Sequence, residues 1–331
     1  MGKIALVDRY GSFLSAKDGR FQLLLKGGGK AWDLAPVEVD SIVFDVIGAG
    51  LSASAVKLAS EFGVDLVFMD RGRPLARLIP ASYGSTLKTW LRQLKAHRKP
   101  DRRAELAKRF VEGKVHNQRM VLSEYYKHMK AAGKRAPWLS SAIEDLDTLL
   151  PKLSSAKSVE EARAIEASAA RIYWPAVAQL LPSELGFKKR LPRSRIPPGG
   201  RSDPFNAALN IGYAVLRKEV WRAVFLAGLN PYVGFLHKPR PGRMSLVLDL
   251  MEEFRPALVD RPLIAAARRK PESLLKLSED DKEAVREVWR VIVNHIHGSK
   301  RPYTSTIISQ ARLLAKHLNG TEEYKPFKLR W

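Results

Sequence analysis

The pattern of apolar residues changes character near Thr86, and this change constrains the fold more than any other feature of the chain. Before it, short runs of branched apolar residues alternate with glycine-containing turns, which is typical of β-strands. After it, apolar residues recur every three or four positions over long segments, which is typical of amphipathic helices. The sequence therefore predicts an α+β protein, with a small N-terminal β-sheet domain at residues 1–82 and a larger all-α domain at residues 83–331.

Within the first domain, five runs read as strands: KIALVD, FQLLL, SIVFDV, VDLVFM and PLARLI. One helix, LSASAVKLASEF, is expected between them, with Ser52 or Ser54 as its N-cap and Gly63 at its end. The three glycines at 27–29 are not followed by a Lys-Ser or Lys-Thr pair, so they predict a hairpin turn and not a phosphate-binding loop.

The charge balance favours a polyanionic partner. The chain of 331 residues carries 57 Lys and Arg against 34 Asp and Glu, a formal net charge of +23. It has no Cys, which excludes disulfides, thiolate metal sites and thiol catalysis. There is no apolar run approaching the ~20 residues of a membrane span, and Asp8 and Arg9 interrupt any signal-peptide core. We expect a cytoplasmic protein that handles nucleic acid and not a membrane protein.

Two kinds of segment are candidates for DNA contacts. The helical segments after Thr86 carry Lys and Arg on their outer faces, and residues 183–204 form a basic loop rich in Pro and Gly. Such a loop can follow a phosphate backbone, although it can equally be a solvated connection. The candidate cations of this loop are Lys188, Lys189, Arg190, Arg193, Arg195 and Arg201.

A cluster of acidic residues follows a single histidine in the segment GFLHKPRPGRMSLVLDLMEEFRP at 234–256. If the chain is helical from Ser245, Asp249 shares a face with Glu252 and Glu253, because residues three and four apart are neighbours on a helix. With His237 these carboxylates would suit Mg²⁺ or Mn²⁺. A buried histidine and an ordinary surface helix end are the alternative interpretation.

Two further helices carry candidate polar residues. In SVEEARAIEASAARIYW, Ser158 and Glu161 form a capping box, and Glu166 lies among small residues that leave room for an ion. Pairing of Glu166 with Arg163 or Arg171 is the alternative. In DPFNAALNIGYAVL, Asn206 and Asn210 are one helical turn apart.

Three segments in this order, IEASAARIYW, DPFNAALNIGYAVL and GFLHKPRPGRMSLVLDLMEEFRP, resemble the CRISPR-associated spacer-acquisition integrases, the first of the Cas proteins. The resemblance covers nearly the whole chain and extends to the ISQARLLAKHLNG helix and the tail that contains Tyr324.

The resemblance implies metal ligands at Glu166, His237 and Glu252, with Asp249 as a further acidic residue of the active site. Asn206 and Arg243 lie in motif segments and are candidate DNA contacts. A shift of one residue would exchange Glu252 with Glu253. The sequence leaves open whether Asp249 orients His237, supports a second cation or accepts a proton.

The implied reaction is a transesterification in CRISPR adaptation, with Mg²⁺ or Mn²⁺ as cofactor. The 3′-hydroxyl of a foreign DNA fragment would attack a strand of the CRISPR array, and no ATP is needed. The implied partners are double-stranded and branched DNA, a second copy of the chain joined through the β domain, and the small second Cas protein.

Three alternatives remain open at this point. The same residues could serve a metal-dependent nuclease that cuts branched DNA with water as the nucleophile. A transposon-encoded integrase of the same superfamily would share the motifs. A non-enzymatic nucleic-acid-binding protein would account for the positive charge but not for the acidic motifs.

Overall fold

The computed structural model describes residues 3–79, 85–192, 195–197, 200, 202–279, 281–298 and 302–330. The chain divides into two compact units, which are described separately. One unit contains Met1–Leu94 and Trp221–Asn230, and the other contains Lys95–Val220 and Pro231–Trp331. The expected boundary between residues 82 and 83 lies outside the described residues and stays a prediction.

The first unit contains eight strands within its described residues, arranged in two four-stranded sheets. The strands are β1 (Lys3–Val7), β2 (Phe13–Lys17), β3 (Arg20–Leu24), β4 (Lys30–Leu34), β5 (Val39–Phe44), β6 (Gly50–Leu51), β7 (Asp65–Asp70) and β8 (Arg73–Leu78). One sheet has the order β1-β5-β7-β8 and the other β4-β3-β2-β6. In the first sheet β1, β5 and β7 are parallel and β8 is antiparallel to β7.

A single apolar core joins the two sheets to helix α1 (Ala53–Phe62). Leu14 and Phe21 come from one sheet, Ile42 and Leu66 from the other, and Leu58 from the helix. Ser52 is the N-cap, since its hydroxyl accepts a hydrogen bond from the Ala55 N–H at 3.1 Å, and Gly63 ends the helix in the left-handed region. Both ends were predicted.

The three glycines at 27–29 lie in the turn between the antiparallel strands β3 and β4, as expected for a hairpin. All three have positive φ, between 85° and 101°. Such angles are strained for residues with a Cβ, so the turn requires glycine.

Beyond β8, the described regular elements are helices. The remaining α-helices are α2 (Ser85–Arg98), α3 (Pro100–Ala131), α4 (Pro137–Ser155), α5 (Val159–Leu180), α6 (Pro204–Leu226), α7 (Ser245–Met251), α8 (Arg261–Arg269), α9 (Pro271–Leu275), α10 (Lys282–His297) and α11 (Tyr303–Leu318). A π-helical turn at Pro256–Asp260 connects the chain after α7 to α8. The predicted class, a small β-sheet domain followed by a mostly helical region, is confirmed. No helix within the described ranges is long and apolar enough to span a membrane.

Side chains cap the starts of α5 and α6, and of these caps the one at Ser158 was predicted. The Ser158 hydroxyl accepts the Glu161 N–H at 3.1 Å, but the Glu161 carboxylate accepts the N–H of Lys157 and not that of Ser158. Asp203 caps α6 by accepting the Asn206 N–H at 2.8 Å. These caps satisfy backbone donors that a helix leaves unpaired in its first turn.

Candidate active site

The site lies in the unit made of Lys95–Val220 and Pro231–Trp331, called the helical unit below. Helices α3, α5 and α7 and the segment 231–244 come together there. Glu166 projects from α5, His237 lies on the segment before α7, and Glu252 follows the last residue of α7. The Glu252 side chain is 4% exposed and that of His237 is 21% exposed. His237 Nε2 lies 3.9 Å from Glu252 Oε1.

Asp249 holds the histidine in place. One of its oxygens accepts the Nδ1–H and the backbone N–H of His237, at 2.7 and 2.8 Å. The other accepts the backbone N–H groups of Phe235 and Leu236, at 2.5 and 3.0 Å. With Nδ1 protonated toward Asp249, the Nε2 lone pair of a neutral ring faces Glu252. Of the three roles open for Asp249, the geometry favours orientation of His237, because four donors already occupy this buried carboxylate.

Side chains from three helices, α2, α3 and α5, hold the carbonyl groups of the same segment. The carbonyl of Gly234 contacts His97 Nδ1 at 2.5 Å, and that of Phe235 accepts Arg103 Nε at 3.0 Å. Arg163 on α5 donates to the carbonyl of Leu236. Neighbouring backbone groups are therefore fixed on both sides, which gives His237 a rigid support.

Gly234 makes this close packing possible. A Cβ built at Gly234 would lie 2.6 Å from Asp249 Oδ2 and 2.7 Å from the Ser245 carbonyl carbon. Neither group has room to move, because Asp249 holds the backbone and Ser245 begins α7. A glycine at this position follows from the approach of the two backbones.

Two cations neutralise the carboxylate pair. The ammonium of Lys114, on α3, contacts Glu166 Oε1 and lies 2.6 Å from Glu252 Oε2. Arg255 Nε lies 3.1 Å from Glu252 Oε1. Burial acts to raise the pKa of Glu252, but the nearby cations, of which Arg255 and Lys114 have the largest effects, lower it to about 2. The carboxylate is therefore ionised throughout the neutral range.

Arg255 belongs to a second buried network behind the site. Its guanidinium lies 4.6 Å from the centre of the Tyr213 ring, and that of Arg190 lies 5.2 Å from the same centre. The Tyr213 hydroxyl donates to Asp260 at 2.5 Å. Burial is the main cause that raises the pKa of Asp260 to about 6. The network fixes Arg255, which in turn fixes one oxygen of Glu252.

Glu253 points away from the site, so the geometry separates the two neighbouring glutamates. It accepts the Tyr324 hydroxyl and the Phe327 N–H, each at 3.0 Å, from the C-terminal tail. Burial raises the pKa of Glu253 to about 8, although the two hydrogen bonds act to lower it. Only Glu252 of this pair faces His237 and Lys114.

The residues suggested for DNA contacts fall into three groups. Lys188, Lys189 and Arg195 are exposed, and Arg243 is half-buried. Arg190 donates to Asn206 Oδ1 at 2.8 Å and to Asn210 Oδ1 at 2.7 Å. Asn206 is fully buried and also donates to the Lys189 carbonyl, so it anchors the loop and is not placed to contact DNA directly. Arg193 and Arg201 lie outside the described residues.

The donor set suits a hard or borderline divalent ion, but Lys114 stands between its two carboxylates. Within the described ranges, no three His, Asp or Glu side chains are grouped so as to hold an ion as they stand. The ammonium nevertheless shows that Glu166 and Glu252 converge on one cation. A carboxylate that orients a histidine through Nδ1 is also the usual support of a histidine ligand. The residues therefore fit a metal ion that takes the place of the ammonium.

Lys114 was not singled out in the sequence, although a signal was present. It lies three and four residues after the buried Val111 and Phe110 and four before the buried Gln118. This spacing places a lysine on the inward face of α3, where a charged group needs partners.

Comparison with known proteins agrees with this architecture. A family model described as CRISPR associated protein Cas1 matches residues 5–285. The CRISPR-associated endonuclease Cas1 1 of Saccharolobus solfataricus is 40% identical over 98% of this chain and 84% of its own length. Among solved structures, a casposase bound to integration product superposes with a TM-score of 0.77 at 23% identity, over 98% and 97% of the two chains. A partial Cas6-RT-Cas1–Cas2 complex superposes with a TM-score of 0.71 at 21% identity, over all of both chains. The chain therefore belongs to the CRISPR associated protein Cas1 family.

Proposed function

We propose that the chain is a divalent-metal-dependent DNA integrase of CRISPR adaptation, which joins the 3′-hydroxyl of a DNA fragment to a strand of the CRISPR array. The observation that carries the proposal is the convergence of Glu166, His237 and Glu252 from three separate segments, with Asp249 orienting the histidine. The name of the Saccharolobus relative, an endonuclease, supports phosphodiester chemistry.

In this mechanism Glu166, His237 and Glu252 would hold Mg²⁺ or Mn²⁺. A bound ion would supply charge neutralisation at the attacked phosphodiester and orientation of the attacking oxygen. Asp249 keeps the Nε2 atom of His237 available by accepting the Nδ1–H. Arg255 keeps one oxygen of Glu252 in position. The protein supplies no nucleophile, since the attacking group is a hydroxyl of the DNA.

DNA is held mainly through its phosphates. The net charge of +23 and the exposed Lys188, Lys189 and Arg195 supply cations for such contacts. Phosphate contacts position a duplex without reading its sequence. Two strands must be joined in full integration, so we propose a homodimer through the N-terminal unit. The small second Cas protein is the proposed partner, supported by the Cas1–Cas2 complex among the structural neighbours.

A second candidate function uses the same site with water in place of the 3′-hydroxyl. The relative from Saccharolobus solfataricus is named an endonuclease, which favours cutting of branched DNA as an activity of the same residues. Strand joining and cutting differ only in the oxygen that attacks.

A strand-transfer assay tests the proposal. A labelled short duplex with free 3′-hydroxyls is incubated with a supercoiled plasmid and Mn²⁺, using wild type, Glu166→Ala and His237→Ala. We expect label to join the plasmid only with wild type and metal, and only when the 3′ ends are free. Cutting without joining, even after addition of the second Cas protein, would support the nuclease. Equal joining by His237→Ala would contradict the proposed site.

A further inference from the structure

The position of Lys114 is the least expected feature of the site. Its side chain is 12% exposed, and its ammonium contacts one oxygen of Glu166 and one of Glu252. These two carboxylates come from α5 and from the end of α7, so the lysine on α3 links three segments through one charge. The same two carboxylates are the acidic ligands of the proposed metal site.

The neighbours of Lys114 show that it is held in the interior and is not part of a surface ion pair. On α3, Lys114 shares its inward face with Phe110, Val111 and Gln118, all of which are buried. Burial acts to lower the pKa of Lys114, but the charges of Glu166 and Glu252 outweigh it and raise the pKa. A buried ammonium is tolerated only where carboxylates compensate for the lost hydration.

A divalent ion and this ammonium cannot share the two carboxylates. Two positive charges a few ångströms apart in a partly buried site repel each other strongly, and the ion carries two. The ammonium already occupies Glu166 Oε1 and Glu252 Oε2, and Arg255 lies at the other oxygen of Glu252.

We propose that Lys114 is an internal cation that holds Glu166 and Glu252 together without metal, and that a divalent ion binds by displacing its ammonium. The inference rests on the proposed metal-dependent function, and it adds a residue that sets metal affinity. In this arrangement Lys114 competes with the ion for the carboxylates, so it weakens metal binding by the free protein.

Displacement also couples metal binding to DNA binding. Lys114 and Arg255 balance the charges of Glu166 and Glu252 without metal. A divalent ion in place of the ammonium makes the site one unit more positive, and this change favours a DNA phosphate beside it. DNA should therefore raise metal affinity, and by linkage metal should raise DNA affinity by the same factor.

The test measures Mn²⁺ binding directly, by electron paramagnetic resonance of free Mn²⁺, on the full chain. Wild type is compared with Lys114→Met and with Lys114→Gln, which keeps hydrogen-bond donors but no charge. Arg261→Met is the matched control, because Arg261 pairs with Glu124 elsewhere in the same unit. Each protein is measured alone and with a short duplex that has blocked 3′ ends.

We expect both Lys114 variants to bind Mn²⁺ at least about tenfold more tightly than wild type when DNA is absent, and DNA to raise their affinity less. In EDTA, both should melt below wild type, because the buried Glu252 and the half-buried Glu166 lose their shared cation, and Mn²⁺ should restore the loss. Arg261→Met should bind Mn²⁺ as wild type does.

Three results would overturn the inference. The first is unchanged or weaker Mn²⁺ binding by folded Lys114 variants. If His237→Ala still abolished Mn²⁺ binding in that case, the proposed function would stand without the inference. Failure of both variants to fold even in saturating Mn²⁺ would make Lys114 a structural residue only. Absence of any Mn²⁺ binding that depends on Glu166 and His237 would remove both the inference and the proposed function.

Discussion

Asp249 shows how one buried carboxylate can determine the chemistry of a neighbouring side chain. Its four hydrogen bonds fix both the backbone from Phe235 to His237 and the ring of His237. A ring held through Nδ1 presents Nε2 in one direction, which is what a ligand requires. We therefore propose that Asp249 is a positioning residue, whose loss should act through His237.

The variant Asp249→Asn tests this role. Asparagine keeps one acceptor but places an amide N–H near a backbone donor or the His237 ring, so the segment loses its support. We expect Mn²⁺ affinity and strand transfer each to fall by about 10- to 100-fold, as is usual for a partner of a histidine ligand. Calorimetric Mn²⁺ titration and the plasmid assay measure the two effects. Unchanged Mn²⁺ affinity would contradict a positioning role.

Glu253 predicts a pH dependence of stability. In the folded chain the Glu253 carboxyl keeps its proton up to about pH 8. In an unfolded chain it loses this proton near pH 4.5, the ordinary pKa of a glutamate. The folded state binds more protons between these values, so stability falls as pH rises through this window. We expect wild type to lose on the order of a few kcal/mol of unfolding free energy across it, and Glu253→Gln to lose less.

Urea denaturation at several pH values between these limits measures the difference between wild type and Glu253→Gln. The Gln side chain can still accept the Tyr324 hydroxyl and the Phe327 N–H, so the control compares the same packing without the titration. Parallel pH profiles for the two proteins would show that Glu253 is ionised in the folded state.

The sequence alone could locate the acidic cluster but could not assign separate roles to its glutamates. Glu252 and Glu253 are adjacent, and residue type gives no reason to prefer one. Their roles depend on which of the two side chains faces α3 and which faces the C-terminal tail, and tertiary packing determines this. Lys114 was missed because lysines on long helices are usually solvated, and its partners are 52 and 138 positions away in the sequence.

At the scale of elements, the C-terminal tail is packed against α3 and the end of α7. Asn117 donates to the carbonyls of Glu253 and Phe327, at 2.7 and 3.0 Å, and accepts the Leu329 N–H at 2.8 Å. Gly113 lets the elements approach, since a Cβ there would lie 2.7 Å from the Glu253 Cβ. The tail thus supports the residue that follows Glu252.

Removal of the three hydrogen bonds made by the Asn117 side chain should destabilise the helical unit. Asn117→Ala leaves buried backbone groups of Glu253, Phe327 and Leu329 without a partner, and we expect a loss of about 3 kcal/mol. Ser155→Ala, on the exposed end of α4, is the control and should change stability by less than about 0.5 kcal/mol. Urea midpoints measure both. Equal stability of the two variants would show that the tail is not held through Asn117.

Some strands could be predicted from the sequence and others could not. β5 and β7 are dense in branched apolar residues and were expected. β2 and β4, FLSAK and KAWDL, contain few such residues and were missed, because pairing with β3 and the shared core holds them. The π-helical turn after α7 was also missed, because all five of its residues are buried and so give no alternation of apolar and polar positions.

At the scale of the whole molecule, the charge of +23 predicts DNA binding that weakens steeply with salt. Removal of two exposed cations, Lys188→Ala with Lys189→Ala, should weaken binding about equally for different DNA sequences. It should also reduce the slope of log affinity against log salt by about 1 to 2. Lys30→Ala, whose charge is already paired with Asp33, is the control. An unchanged slope in the double variant would exclude the loop from the DNA interface.

The predicted class and family emerged from whole-chain features, namely the switch from strands to helices and three motifs in fixed order. The family is confirmed by the match over residues 5–285. The metal, the dimer and the partner protein stay predictions, because they depend on groups that lie outside a single chain.

The most direct test of the account is an anomalous diffraction measurement on crystals of the protein soaked in Mn²⁺. We predict one strong anomalous peak between Glu166, His237 and Glu252, with the Lys114 ammonium moved away from both carboxylates. A peak at other residues would contradict the proposed site. The absence of any peak, with Lys114 still between the two glutamates at saturating Mn²⁺, would contradict the metal-dependent mechanism itself.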